Sequence, residues 1–198
     1  MTSARAPLVL LVHEPGLSAA AVEGILARLR EVDLAAGAHV LTPSAREDDR
    51  AGLEELGRAL ALAGGGEDAA LLGIGRGGTL AFLYACARRV TAAVVVEGPV
   101  LHPELSRARP TQPLELALNL EGSFLGLYGA DGPVGAEQRE LLRARLAAAA
   151  RPFELAVLPG GEIVVDPARR GYDEARAGEL WRRVLAFLGE ALAGEPGA

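Results

Sequence analysis

The chain predicts a doubly wound α/β fold: one mainly parallel sheet of about six strands, covered by helices on both faces. Three observations carry that expectation. Short apolar runs alternate with stretches of helical period along all 198 residues. The apolar runs are nearly continuous, the pattern of strands buried on both faces. No repeat, linker or low-complexity tract interrupts them, so one domain over 1–198 is expected, with about 194–198 as a loose tail.

The elements follow in order. Pro7 to His13 reads as the first strand, and Ser18 as the N-cap of a helix carrying Val22, Ile25, Leu26 and Leu29 at helical spacing. His39 to Thr42 reads as a short second strand closed by Pro43. Arg50 to Ala63 is an amphipathic helix ended by Gly64, Gly65 and Gly66. Ala69 to Ile74 is the third strand, Thr79 to Arg89 its helix and Thr91 to Val96 the fourth strand. The proline-rich stretch 98–121 reads as a loop with one helical turn near Leu114 to Leu120. Phe124 to Tyr128, Ala136 to Ala150, Phe153 to Leu158 and Tyr172 to Ala193 complete the alternation as strand, helix, strand and helix.

Composition narrows the function. Half the residues are hydrophobic, so a full core is available. The 20 basic residues, all arginine, face 26 acidic ones for a net charge of -6, with no basic run. Nucleic acid and anionic membrane are therefore not expected as partners. Aromatics are 4%, too few for a base-stacking platform. No apolar stretch reaches the ~18 residues of a membrane span without a charge or a helix breaker. Met1 to Ala6 does not read as a signal region, and the single cysteine, Cys86, excludes an internal disulfide. A cytoplasmic globular protein is expected. Three dispersed histidines offer no metal-ligand spacing, and no cofactor is expected.

Parallel α/β sheets bind ligands at the carboxyl ends of their strands. His13, Glu14, Pro15, Arg76, Glu97 and Asp131 stand there, the candidate lining of a ligand crevice. The segment Leu72-Gly-Ile-Gly-Arg-Gly-Gly78 follows a strand, opens a helix and supports two readings. Gly73, Gly75 and Gly78 match a dinucleotide fingerprint, with Glu97 placed for a ribose hydroxyl. The same glycines also match a nucleophile elbow at position 75, flanked by Gly73 and Gly77. The elbow then follows the third strand, Asp131 the fifth and the loop Gly160 to Gly171 the sixth, the places a minimal α/β-hydrolase uses for nucleophile, acid and histidine.

In these motifs the chain resembles the dienelactone hydrolase family of α/β-hydrolases. Val12-His-Glu-Pro-Gly-Leu-Ser18 is similar to the family's segment after the first strand, and Gly73-Ile-Gly-Arg-Gly-Gly78 to its elbow. Tyr128-Gly-Ala-Asp131 with Val134 resembles the acid segment, and Leu158-Pro-Gly160 with Gly171-Tyr172 the histidine loop. The resemblance implies a three-layer hydrolase-like domain and a triad of which only Asp131 is retained. The nucleophile position holds Gly75, the histidine position Ile163, and no histidine follows His102. One oxyanion donor would be the N–H of Arg76; the residue matching the other is Pro15, which has none.

These departures imply a degenerate hydrolase, a non-catalytic binding or interaction module for a small ester-like or carboxylate ligand. The alternatives are an ester or lactone hydrolase using other groups, and a nucleotide binder built on Gly73, Gly75, Gly78 and Glu97. Cys86 reads as a small core residue and His102 as a solvated loop histidine. Arg76, opposed by the dipole of the helix it opens, is expected to pair with Glu14, Glu97 or Asp131.

Overall fold

The structure is a computed structural model that describes residues 6–193; the expected tail at 194–198 lies outside the described residues. Six parallel strands, β1 (Leu8–His13), β2 (Ala35–Val40), β3 (Ala70–Ile74), β4 (Ala92–Val96), β5 (Ser123–Gly129) and β6 (Phe153–Leu158), form one sheet in the order β2-β1-β3-β4-β5-β6. That is the order the alternation requires when the chain winds outward in both directions from β1 and β3.

Alternate residues of each strand feed two cores. Leu10, Val12, Leu71, Ala93, Val95 and Phe124 face helices α3 (Asp49–Leu62), α4 (Arg76–Ala87) and α5 (Ala136–Ala149). Val9, Leu11, Leu72, Val94, Val96 and Leu127 face α1 (Ala19–Arg30) and α6 (Glu174–Leu192). Helix α4 lies over the centre of the sheet and is buried nearly all round, from Gly77 to Phe82 without a break. A Cβ on Gly77 would stand 2.2 Å from the Val12 carbonyl oxygen, so only glycine lets this helix lie on its strand. Cys86, buried on α4, is the core residue expected, and burial pushes its thiol pKa up to about 12.

Two expectations shift. The second strand runs from Ala35 to Val40 rather than from His39 to Thr42. Ala35-Ala-Gly-Ala38 has none of the β-branched residues that mark a strand, and pairing with β1 supplies the order that propensity does not. Thr42 instead caps a short helix, α2 (Pro43–Glu47), its hydroxyl accepting from Ala45 N at 3.3 Å. Helix α4 starts at Arg76, three residues before the expected Thr79, because the turn at Gly75 closes directly into it: Gly78 and Thr79 donate to the Gly75 carbonyl at 2.9 and 3.2 Å. Ser18 caps α1 as expected, and the turn in the proline-rich stretch is a 3-10 helix over Pro113–Asn119.

Candidate functional site

The elbow at Gly75 is built by the backbone. Its φ of 59° and ψ of -126° lie where residues with a side chain are strained, and its N–H is held by the Val96 carbonyl at 2.9 Å. The turn therefore hangs between the ends of β3 and β4, at the carboxyl edge of the sheet. Two adjoining cavities open there, of about 300 and 310 Å³, both bordered by Glu14, Gly75, Glu97 and Glu162. His13, Pro15, Ile163 and Arg169 belong to the first; Arg76, Leu101, His102 and Arg109 to the second. A larger cavity, about 570 Å³ beside Glu67, Thr91 and Ser123, lies at the opposite edge, where β4 and β5 begin. Parallel sheets bind at their carboxyl ends, which favours the smaller pair.

Glu14 reaches directly over the elbow. Its Oε2 accepts from the Arg76 backbone N–H at 3.3 Å and would lie 3.2 Å from a Cβ at position 75. His13 is buried, its Nδ1 donating to the Glu14 carbonyl at 2.8 Å, and its Nε2 has no partner among the described residues.

Glu97 is the most constrained residue of the crevice. It is 4% exposed, with a left-handed φ of 52°. Oε1 accepts from Gly129 N at 2.7 Å and Ile163 N at 2.9 Å, while the buried Oε2 has no partner among the described residues. Burial raises the Glu97 pKa above the ordinary carboxylate range; the two N–H bonds oppose this without cancelling it. The strand end, not a ligand, thus uses one oxygen of the carboxylate that the fingerprint reading assigns to a ribose. Ile163 itself is buried in the core beside α6, joined to Glu97 only through its backbone.

Asp131 stands apart. It is exposed, its N–H is held by the Gly160 carbonyl at 2.9 Å, and it borders neither cavity. The tight turn after β5 fixes its backbone and leaves the side chain outside the crevice.

Arg76 does find a carboxylate, but not one of the three expected. Its Nη2 donates to Asp49 Oδ1 at 2.5 Å and its Nε to the Arg46 carbonyl at 3.2 Å. The guanidinium turns away from the sheet edge toward the start of α3, where Asp49 is buried. The other Asp49 oxygen binds His102 Nε2 at 2.9 Å. His102 is therefore not solvated: it is 7% exposed, and its backbone is held on both sides by Gln112, which accepts from His102 N at 2.5 Å and donates to His102 O at 3.1 Å. Burial lowers the His102 pKa despite the pull of Asp49, with Arg76 and Arg109 adding repulsion. Arg109 donates from Nη2 to the Arg46 carbonyl at 2.9 Å. The sequence carried no sign of Asp49: it sits 27 positions before Arg76, at a helix start where an acid is unremarkable.

A further tie also escaped the sequence. Buried Asp166 accepts from Ser18 N at 2.8 Å, Ser18 Oγ at 3.0 Å and Ala168 N at 2.9 Å, fastening the loop after β6 to the start of α1. Among the described residues no group of three or more His, Cys, Asp or Glu is placed to hold a metal, and no helix is long and apolar enough to cross a membrane.

Against known proteins, the model of the dienelactone hydrolase family matches residues 31–192. A provisionally named carboxymethylenebutenolidase of Salmonella typhimurium is 33% identical over 116 residues, 58% of this chain and 43% of that protein. The corresponding Escherichia coli protein is 32% identical over 114 residues, 57% of this chain and 42% of that one. The chain thus aligns with less than half the length of these relatives. Among solved structures, a provisionally named dienelactone hydrolase from Klebsiella pneumoniae superposes with a TM-score of 0.81 at 25% identity, covering 96% of this chain and 90% of that one. A carboxylesterase of the thaumarchaeon Nitrososphaera gargenis superposes with a TM-score of 0.73 at 13% identity, covering 96% and 93%, a likeness of fold alone.

Proposed function

Since this chain belongs to the dienelactone hydrolase family and yet has no side chain at the elbow, we propose that it is a binding module on the hydrolase fold, without the acyl transfer of an intact triad. The observation that carries this reading is the Glu14 carboxylate, which accepts from the Arg76 N–H at 3.3 Å. In an acyl-transfer enzyme that N–H is kept for the oxyanion of the tetrahedral intermediate. A carboxylate in its place repels the charge the reaction would develop.

Three further features point the same way. Position 75 offers no nucleophilic atom, position 163 no base, and Pro15 no second oxyanion donor. Losing triad members alone costs roughly 10⁴–10⁶ in rate.

The test is hydrolysis of short p-nitrophenyl esters, with serine- and thiol-directed covalent probes. No turnover above buffer and no labelling at position 75 are expected. Gly75→Ser alone should stay inactive, because Ile163 provides no base. Turnover by the unmodified protein would overturn the reading.

One observation favours a second reading, an ester or lactone hydrolase using other groups. Asp49 Oδ2 accepts from His102 Nε2–H, which leaves Nδ1 as a bare acceptor on a residue bordering the same cavity as Gly75. Such a histidine can take a proton from water. Turnover that survives the covalent probes but disappears in His102→Gln would establish this route.

A further inference from the structure

The cavity between the elbow and the proline-rich loop has a pattern of unused hydrogen-bonding atoms that defines a ligand. Two buried donors on residues that border it have no partner among the described residues: Arg76 Nη1 and Arg109 Nε. Both residues border the cavity of about 310 Å³. The Arg76 side chain is 10% exposed and rigidly aimed, because its Nε and Nη2 are spent on the Arg46 carbonyl and Asp49. Arg109 is fixed in turn through Nη2 on the same Arg46 carbonyl. One peptide oxygen thus orients both guanidiniums, and each keeps an unpartnered buried nitrogen in reserve, Nη1 with two N–H on Arg76 and Nε with one on Arg109.

Two acceptors are also unused, of which the Glu97 oxygen is the buried one. Glu97, 4% exposed, has no partner for Oε2. His102, 7% exposed, gives Nε2–H to Asp49 and makes no hydrogen bond through Nδ1. A buried donor or acceptor left without a partner costs about 1–3 kcal/mol. Three of the six such atoms among the described residues belong to residues that border this one cavity.

The charges decide what fits. Two guanidiniums favour an anion, but Glu14, Glu97 and Glu162 border the same space. A bare anion therefore meets three carboxylates as well as its two partners. An anion that also carries hydroxyl groups meets them as hydrogen-bond acceptors, and His102 Nδ1 adds a fourth.

We propose that this cavity binds a small hydroxylated oxyanion, its charged end on Arg76 and Arg109 and its hydroxyls on Glu97 and His102. The inference rests on the binding-module reading and names the chemistry of its ligand. A cavity of about 310 Å³ is at the small end for ligand sites, so the ligand is a short chain or a single ring. The charged end is a carboxylate or a phosphate, two sources of one chemistry that experiment separates.

The experiment is calorimetric titration, with thermal shift at about 10 mM ligand as a second readout. The probes are gluconate, a hydroxylated carboxylate; glycerol 3-phosphate, a hydroxylated phosphate; and butyrate and inorganic phosphate, which lack carbon-bound hydroxyls. Gluconate or glycerol 3-phosphate should bind, and whichever binds tighter identifies the charged end. Butyrate and inorganic phosphate should bind at least about tenfold more weakly.

Arg109→Met should weaken binding about tenfold or more while its own unfolding midpoint, measured without ligand, stays within a few degrees of the parent's. Arg109→Lys keeps the charge but not the fixed N–H, and should recover only part of the loss. His102→Gln, whose amide can still meet Asp49, should weaken gluconate or glycerol 3-phosphate more than the hydroxyl-free probes. The inference is overturned if no probe binds, if butyrate binds as well as gluconate, or if binding is indifferent to both positions. Ester turnover, measured on the same samples, reports separately on the binding-module reading, so failure of the ligand assignment and failure of that reading are told apart.

Discussion

Removing the Asp49 carboxylate should be among the most damaging single changes available. Asp49 serves two groups at once, Arg76 Nη2 through one oxygen and His102 Nε2 through the other, and both Asp49 and Arg76 side chains are 10% exposed. Asp49→Ala leaves a guanidinium buried without its counter-ion and strips the histidine of its acceptor. Breaking a buried pair from one side costs about 3–5 kcal/mol, because the surviving charge is stranded rather than solvated. For a chain of this size each kcal/mol lowers the melting temperature by about 2–4 °C, so a fall of about 6–20 °C is expected. Urea unfolding at neutral pH gives the free energy directly, with an unchanged denaturant slope confirming that compactness is kept. The double replacement Asp49→Leu with Arg76→Leu should cost much less than the two single losses combined, since no charge is then stranded. A single-variant loss below about 1 kcal/mol, the scale of an exposed pair, would refute the reasoning. So would strict additivity in the double variant.

Three more outcomes follow from the geometry. The raised Glu97 pKa means that the folded state holds the proton more tightly than the unfolded chain, so stability falls as pH rises from the ordinary carboxylate range through the raised value. Melting curves between acid and neutral pH should show this fall in the parent and less of it in Glu97→Gln; parallel curves would contradict it. Gly77→Ala drives a Cβ to 2.2 Å from the Val12 oxygen and should destabilise by about 3 kcal/mol or more, whereas Gly24→Ala, on the open face of α1, should stabilise by about 0.5–1 kcal/mol. Chemical denaturation of both variants orders them. Cys86, buried and with its pKa pushed up to about 12, should resist thiol reagents in the native protein and react on the timescale of unfolding, which absorbance titration measures.

The sheet was legible in the sequence because its central strands are unambiguous. Leu8 to Val12 and Ala92 to Val96 are apolar without interruption, and nothing but a doubly covered sheet buries such runs. The edge strand Ala35–Val40 was not, since an edge flanked by alanine and glycine is defined by its neighbour rather than by its own residues. At the site, sequence order located the elbow and the Glu97 strand end, which depend on local spacing. It did not bring Asp49, His102 and Arg109 to Arg76. Those meet because α3 and the loop before the 3-10 helix both fold over the start of α4, a relation between distant segments that no short window contains. The expected partners of Arg76 came from the idea that a cation opposed by a helix dipole needs an anion, applied to the carboxyl edge of the sheet when the anion stands at the start of α3.

The segment after β6 has a consequence for how the molecule can vary. It is pinned at Gly161 by Arg176, at Ile163 by Glu97 and at Asp166 by Ser18, three clasps within six residues reaching to three different parts of the chain. Beyond the last clasp, residues 167–171 are exposed in succession. The stretch 161–166 is thus fixed in length, while the exposed hoop that follows is tied only by its own short-range turn bonds. Residues added between Arg169 and Arg170 give up the turn bond from Tyr172 N to the Arg169 carbonyl, lengthen an outward loop at a slowly rising entropic cost and leave the three clasps in register. A graft of foreign sequence there would decorate the rim of the crevice without reshaping its floor.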